Sequence, residues 1–242
     1  MKITFVGTSA AIPQKNRYCA CTMLEVGGAI YFLDAGAPLL DELVRMDKDI
    51  HDVRAIFASH CHYDHICCIG SIVAPLTWFY TDASVSVYMP EQKVIDAYKQ
   101  FLSCTGDKLD ESRIKFFLTD KDFVYQDENI KLSLIPTAHM NPSFAFLIEA
   151  EGKKILLTGD LSKDLAKDDI PSIAFEEDID VFVCEMAHFN LEQIRPYLNK
   201  CRAKHVCFHH IDPAEKRDDI KAAKGDFAFD LRAVDDGDQL EL

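Results

Sequence analysis

Between Ser59 and Ile66 the chain reads Ser-His-Cys-His-Tyr-Asp-His-Ile, so three histidines and an aspartate (His60, His62, Asp64 and His65) fall within six residues. Imidazole and carboxylate are ligands for zinc and similar divalent ions, and four together suit a metal site far better than an apolar core. The run just before, Arg54-Ala55-Ile56-Phe57-Ala58, is apolar and short, the pattern of a buried strand. A strand ending near Ser59 leaves the cluster on the loop at its end, where polar side chains can converge on an ion. Whatever fold the chain adopts must stop a strand here and bring the ends of other elements to it.

The spacing His60-x-His62-x-Asp64-His65 resembles the signature of the metallo-β-lactamase superfamily of binuclear hydrolases. In that family the first two histidines bind one metal and the Asp-His pair binds the second. The resemblance implies three further ligands, each after a strand-like run. His139 follows the run Ile130 to Ile135, and Asp160, the residue that would bridge both ions, follows Lys154-Ile155-Leu156-Leu157. For the last ligand, Val206-Cys207-Phe208-His209-His210-Ile211 aligned on the family's ending puts the ligand at His210 and a threonine position at His209, with His209 as the alternative. The other histidine of the two then faces substrate or supports a ligand.

The opening segment is similar to the ribonuclease Z branch of the superfamily, with Gly7-Thr8 and Pro13 ahead of Arg17. Tyr31-Phe32-Leu33-Asp34-Ala35-Gly36 resembles the next strand of that branch, where Asp34 would orient a metal-binding histidine. Read without the family, Asp34 is a capping group and the glycines are turn residues. Two departures stand out. Ribonuclease Z carries a long transfer-RNA-gripping arm between the third histidine and the bridging aspartate. Here His139 and Asp160 are separated by what reads as one hairpin, Ser143 to Ala150 and Lys153 to Leu157, turned at Glu151-Gly152. The second departure is Val181-Phe182-Val183-Cys184-Glu185-Met186-Ala187-His188, which compresses two motifs of that branch into one. Glu185 and His188 are read as an acid pair aimed at a leaving group, the carboxylate tuning the imidazole. The plainer reading makes Glu185 a strand-end cap and His188 a residue packed at a helix entrance. Asn190 and Gln193 form the pattern of a capping box opening that helix.

Charge narrows the partners. With 26 basic against 40 acidic residues the net charge is −14, and no basic stripe is interleaved with aromatics. Nucleic-acid binding rests on neutralising phosphates with Lys and Arg, so a small-molecule substrate is expected rather than long nucleic acid. The 242 residues, 48% of them hydrophobic, suit a single domain over 1–242. The acidic stretches around Lys163 to Asp169 and Glu176 to Asp180 read as solvated loops. No apolar stretch is long enough for a signal peptide or membrane span. The nine cysteines are odd in number and irregularly spaced, without a CxxC pair, so they read as reduced thiols of a cytoplasmic protein.

Strands are expected near 2–6, 21–26, 29–34, 54–58, 84–88, 114–118, 130–135, 143–150, 153–157, 180–184, 205–208 and 238–242. Helices are expected near 37–47, 66–78, 91–103, 191–200 and 213–224, the last with Asp212 as N-cap and Pro213 at its first position. Periodicity alone gives mixed α/β. The αββα four-layer sandwich, two packed sheets covered by helices, is what the resemblance implies.

The resemblance also implies a mechanism. Two divalent ions, zinc or else manganese or iron, about 3.5–4 Å apart would lower the pKa of a water between them from 15.7 to about 7. A metal-bridging hydroxide would then attack phosphorus or carbonyl carbon. Asp64 would both ligate and orient the nucleophile, and His188 with Glu185 would protonate the leaving group. Ribonuclease Z likeness without the arm favours a phosphodiesterase acting on small phosphodiesters, such as a cyclic nucleotide or short nucleotide ester. The alternative is a thioester or lactone hydrolase of the glyoxalase II or lactonase kind. A di-iron redox protein usually carries glutamate where this chain has His62, and a non-catalytic metal-binding module would be expected to have lost ligands. Dimers are common in the family, which allows a homodimer, but no interface can be read from the sequence.

Overall fold

The computed structural model describes residues 1–105 and 109–242. Two seven-stranded sheets stack face to face. The first holds β1 (Lys2–Gly7), β2 (Cys21–Val26), β3 (Ala29–Leu33), β4 (Val53–Phe57), β5 (Val85–Met89), β6 (Ile114–Leu118) and β14 (Gln239–Glu241), in the order β14-β1-β2-β3-β4-β5-β6. The second holds β7 (Val124–Gln126), β8 (Lys131–Pro136), β9 (Phe144–Ala150), β10 (Lys153–Leu157), β11 (Ile179–Met186), β12 (Ala203–Ile211) and β13 (Asp230–Ala233), in the order β13-β12-β11-β10-β9-β8-β7. Helices α1 (Leu39–Arg45), α2 (Tyr63–Ile66), α3 (Gly70–Trp78) and α4 (Gln92–Cys104) belong to the first half of the chain. α5 (Ile173–Glu176), α6 (Leu191–Leu198) and α7 (Lys216–Ala222) belong to the second.

The layering follows from side-chain alternation along the strands. In β11 all eight residues are buried. Val181 and Val183 enter the core between the sheets, while Phe182, Cys184 and Met186 enter the core beneath the helices. A strand buried on both faces reads as a continuous apolar run, and period two sends alternate residues to opposite layers. The same split sends Phe144, Phe146 and Ile148 of β9 between the sheets. Three cores result, one between the sheets and one under each helical layer, which makes the architecture an αββα sandwich. The hairpin from β9 to β10 turns at Glu151 and Gly152, both with positive φ (50° and 72°), the twist that a two-residue connection requires.

Two local expectations are corrected, and two strands were not expected. The helix expected over 66–78 begins earlier, at Tyr63, and is interrupted between Ile66 and Gly70, so Asp64 and His65 sit on a helical turn rather than a loop. The final helix begins at Lys216, not Pro213; the Asp212–Pro213 peptide is cis and lies outside the helix. Strand β7 is three residues long, too short to show alternation. Strand β13, Asp-Leu-Arg-Ala, pairs in parallel with β12 at the sheet edge and carries two charges in four residues, which hides it from an apolar-run criterion.

Candidate metal centre

Strands β3–β6 run parallel to one another, as do β10–β13. Such strands gather their carboxyl ends on one side, where α/β sheets place their ligands. The end of β4 presents His60 and His62. His62 is the N-cap of α2, with extended backbone (φ −66°, ψ 149°), and the turn that follows swings Asp64 and His65 inward. The β8–β9 loop brings His139, the end of β10 brings Asp160, and the end of β11 brings Glu185 and His188.

β12 reaches the centre through a bulge. Glu185 pairs with His209 and Met186 with Ile211, which leaves His210 as an extra residue, and its φ is +48°. A bulge re-aims a side chain that strict alternation would send elsewhere. His210 thereby turns its Nε2 to within 3.3 Å of Asp160 Oδ1. His209 stays in register, buried beneath, with neither ring nitrogen hydrogen-bonded. Burial drives its pKa down to about 3.

Two clusters of ligand atoms meet at Asp160. In the first, His62 Nδ1 lies 3.0 Å from both His60 Nε2 and His139 Nε2. Asp160 Oδ2 is 3.5 Å from His139 Nε2 and 3.8 Å from His60 Nε2. In the second, Asp160 Oδ1 is 3.4 Å from His65 Nε2 and 3.3 Å from His210 Nε2, and Asp64 Oδ2 is 3.7 Å from each of those nitrogens. Three imidazole nitrogens converging at 3.0 Å cannot all be satisfied by each other's protons, because one N–H points at one acceptor. Ligands about 2.05 Å from a tetrahedral ion sit roughly 3.3 Å from one another, close to the separations in both clusters. His65 Nε2 and Asp160 Oδ1 are moreover buried without a hydrogen-bond partner, a costly state that a cation between them would relieve. The residues fit a pair of metal ions, with one oxygen of Asp160 turned to each cluster.

Electrostatics agree. Burial drives His60 far below the ordinary histidine value, which keeps it neutral as a ligand must be. At His65 burial opposes charge, but Asp160 and Asp34 outweigh it and raise the pKa well above its ordinary value. Burial likewise opposes charge on Asp160, yet His210 and His65 pull its pKa well below the usual carboxylate range. The second cluster therefore attracts positive charge strongly. The first is more open: His62 is exposed and His139 half-buried, so solvent reaches the centre on that side.

Outer hydrogen bonds fix the candidate ligands. Asp34 Oδ2 accepts from His65 Nδ1 at 2.8 Å and from Ser59 Oγ at 3.0 Å, while its Oδ1 accepts from the Ser59 amide at 2.7 Å. This keeps Nδ1–H on Asp34 and points Nε2 at the centre, where a metal ion would take the place of the Nε2 proton. The Ala11 amide donates to Asp64 Oδ2 at 2.8 Å. Asp169 Oδ2 accepts from the amides of Ala138 and Ser162 (2.9 Å each), and its Oδ1 accepts from Ser162 Oγ at 2.7 Å. It ties the His139 loop to the Asp160 loop. Gly159, with φ +57°, precedes Asp160 where a Cβ would come within 2.8 Å of Phe144 O.

Glu185 is fully buried and has both oxygens engaged: Oε1 accepts from the Leu161 amide, and Oε2 from the amides of Ala187 and His188. His188 Nδ1 lies 2.9 Å from Oε1 and 3.0 Å from Oε2, and this bond raises the His188 pKa despite burial. The imidazole sits against His139, with ring centroids 4.6 Å apart, on the open side of the centre. Asn190 and Gln193 form the reciprocal capping box at the start of α6.

The structure thus brings His60, His62, Asp64, His65, His139, Asp160, Glu185, His188 and His210 to one centre, and leaves His209 under it. Sequence reasoning missed Asp169, assigned to a solvated acidic stretch; nothing in its neighbourhood distinguishes it from Asp164 or Asp168.

A family model described as Anti-Pycsar protein Apyc1 matches residues 1–231. Ribonuclease Z of Methanocaldococcus jannaschii is 27% identical over 170 residues, covering 68% of this chain and 52% of that protein, so the chain spans about half the length of the curated relative it matches. Among solved structures, the metallo-β-lactamase fold protein YhfI from Bacillus subtilis superposes with a TM-score of 0.81 at 18% identity, covering 100% of this chain and 99% of that one. A diphosphatase from the PhnP family superposes at 0.72 with 17% identity, covering 100% and 97%. The chain has the metallo-β-lactamase fold, is distantly related to ribonuclease Z, and carries a His/Asp metal site.

Proposed function

The chain belongs to the Anti-Pycsar protein Apyc1 family, and from that premise we propose that it is a binuclear metal-dependent phosphodiesterase acting on small phosphodiesters such as a cyclic nucleotide or short nucleotide ester. The observation that carries the binuclear part is Asp160, whose two oxygens face two separate ligand clusters. His60, His62 and His139 would hold one ion, Asp64, His65 and His210 the other, and Asp160 both; borderline nitrogen and oxygen donors suit zinc, with manganese or iron accepted by the same set. Bound there, the ions would supply Lewis acidity and an activated water at neutral pH.

The protein's own residues do the remainder. Asp160 sets the spacing of the two clusters. Asp64, pinned by the Ala11 amide, directs the attacking oxygen. His188 donates Nδ1–H to Glu185 and so keeps Nε2 for the leaving-group oxygen, and its raised pKa favours the protonated form nearer neutral pH. Support for a small ester comes from the short hairpin between β9 and β10 that fills the interval from His139 to Asp160, and from the net charge of −14, which disfavours long nucleic acid. Ribonuclease Z and PhnP-family likeness point to phosphorus as the electrophile. All nine cysteines are free, in keeping with a reducing cytoplasm, and no helix among the described residues is long and apolar enough to cross a membrane.

Hydrolysis of bis-(p-nitrophenyl) phosphate by metal-quantified protein tests the reading. Turnover lost on chelation and restored by zinc or manganese at about two ions per chain is the expected result. Two bound ions with no phosphodiester turnover, but with thioester or lactone turnover, would overturn it.

A further inference from the structure

The loop from Met186 to Phe189, between β11 and α6, carries His188, and its four carbonyls are all engaged. Lys216 Nζ donates to Met186 O at 2.9 Å, to Ala187 O at 2.8 Å and to Phe189 O at 2.8 Å. The remaining carbonyl, His188 O, accepts from the Asp164 amide at 2.9 Å. From the other side, Glu185 Oε2 takes the amides of Ala187 and His188. The ammonium is half-buried and spends its three donors on three carbonyls of one turn, the arrangement by which a small cation templates backbone. A lysine seeking only solvent or a carboxylate has no reason to enter a nest of carbonyls, because each contact desolvates the charge.

We propose that Lys216 is a positioning residue for proton delivery: it holds the loop so that His188 Nε2 meets the leaving-group oxygen. The proposal rests on the reading of His188 as proton donor. The contacts of Lys216 are to the loop that carries His188 and to none of the residues of the two ligand clusters, so its removal is expected to leave those clusters intact. A proton delivered late and off-line fails most where the leaving group is a poor one. Arginine cannot substitute, because its planar fork does not aim three donors at one turn.

The test compares Lys216→Met, Lys216→Arg, His188→Ala and the Lys216→Met/His188→Ala double variant, each with metal content measured. Hydrogen exchange in the peptide spanning 186–190 is read without substrate, and turnover is read on esters with poor and good leaving groups. Lys216→Met is expected to speed exchange in that peptide, to lose ~10²-fold with a poor leaving group, and to lose little with p-nitrophenolate. The double variant is expected to match His188→Ala, and Lys216→Arg to behave like Lys216→Met. Equal losses on both leaving groups, additive losses in the double variant, or lost metal would overturn the proposal. If no phosphodiester is turned over by the parent protein, the functional reading falls instead. The exchange result then decides for Lys216, and unchanged exchange overturns it.

Discussion

Replacing Asp34 by asparagine changes one atom and should cost metal at one cluster. Both oxygens of Asp34 face N–H donors: Oδ1 the Ser59 amide at 2.7 Å, Oδ2 the His65 Nδ1 at 2.8 Å. An asparagine amide offers one acceptor and one donor group, so its NH2 must face one of those two. The Ser59 amide cannot reverse, and a buried donor–donor encounter costs about 1–3 kcal/mol. The imidazole can adapt by moving its proton to Nε2. That is the atom 3.4 Å from Asp160 Oδ1 and 3.7 Å from Asp64 Oδ2, so the lone pair that a metal needs is turned away. Loss of such an outer partner typically costs 10–100-fold in metal affinity, or about 1.4–2.7 kcal/mol. Competition against a chromophoric chelator should show Asp34→Asn with one ion bound near parental affinity and the second weakened by that factor. Asp34 is 2% exposed and asparagine has its shape, so a thermal melt near the parent's would separate the effect from unfolding. Parental affinity for both ions would refute the tautomer argument, as would equal weakening of both.

Asp169→Ala removes the tie between the amides of Ala138 and Ser162. It should weaken the His139-containing cluster by ~10-fold, seen as a second chelator-sensitive phase, while the Asp64–His65–His210 cluster keeps its ion; an unaltered titration would count against the clamp. At the surface, Asp82 and Asp49 raise the His51 pKa to about 8. A folded-state pKa above the ordinary 6.5 gives stability that is full below about pH 6.5 and lost as pH rises through about 8. The Tm difference between the parent and His51→Gln should therefore shrink between those pH values; a difference that grows would reverse the sign of the argument.

The candidate ligands were legible because metal chemistry dictates residue type. His60, His62, Asp64, His65, His139 and Asp160 each follow an apolar run, and only the geometry of the runs was missing. The layers were legible for a related reason: β11 alternates Val181 and Val183 against Phe182, Cys184 and Met186, although sequence alone cannot say which set faces the other sheet. The ambiguity between His209 and His210 had a definite physical source. Strict alternation makes neighbouring residues mutually exclusive, and the bulge at His210 breaks alternation through a single backbone angle of +48°; histidine is enriched at positive φ, but both candidates are histidines, so residue type cannot choose between them.

What stayed hidden is the layer that holds the ligands, and the reason is that its chemistry is not selective. A backbone amide fixes Asp64, and every residue except proline has one, so Ala11 carries no signal. Any carboxylate at the right point could join the His139 and Asp160 loops, so Asp169 looks like its acidic neighbours. Lys216 binds three carbonyls, groups that every residue possesses, and lies far along the chain from the loop it holds. Asp34 was readable only through the family, because its partners, the Ser59 amide and His65 Nδ1, are defined by the folded sheet rather than by spacing. The first layer is written in residue types and the second in positions. A substitution in the second layer can therefore leave every recognisable motif intact and still change how tightly an ion is held or how a proton is delivered. Motif content alone thus cannot predict activity among chains sharing these ligands; the partners of Asp34, Asp169 and Lys216 must be inspected as well.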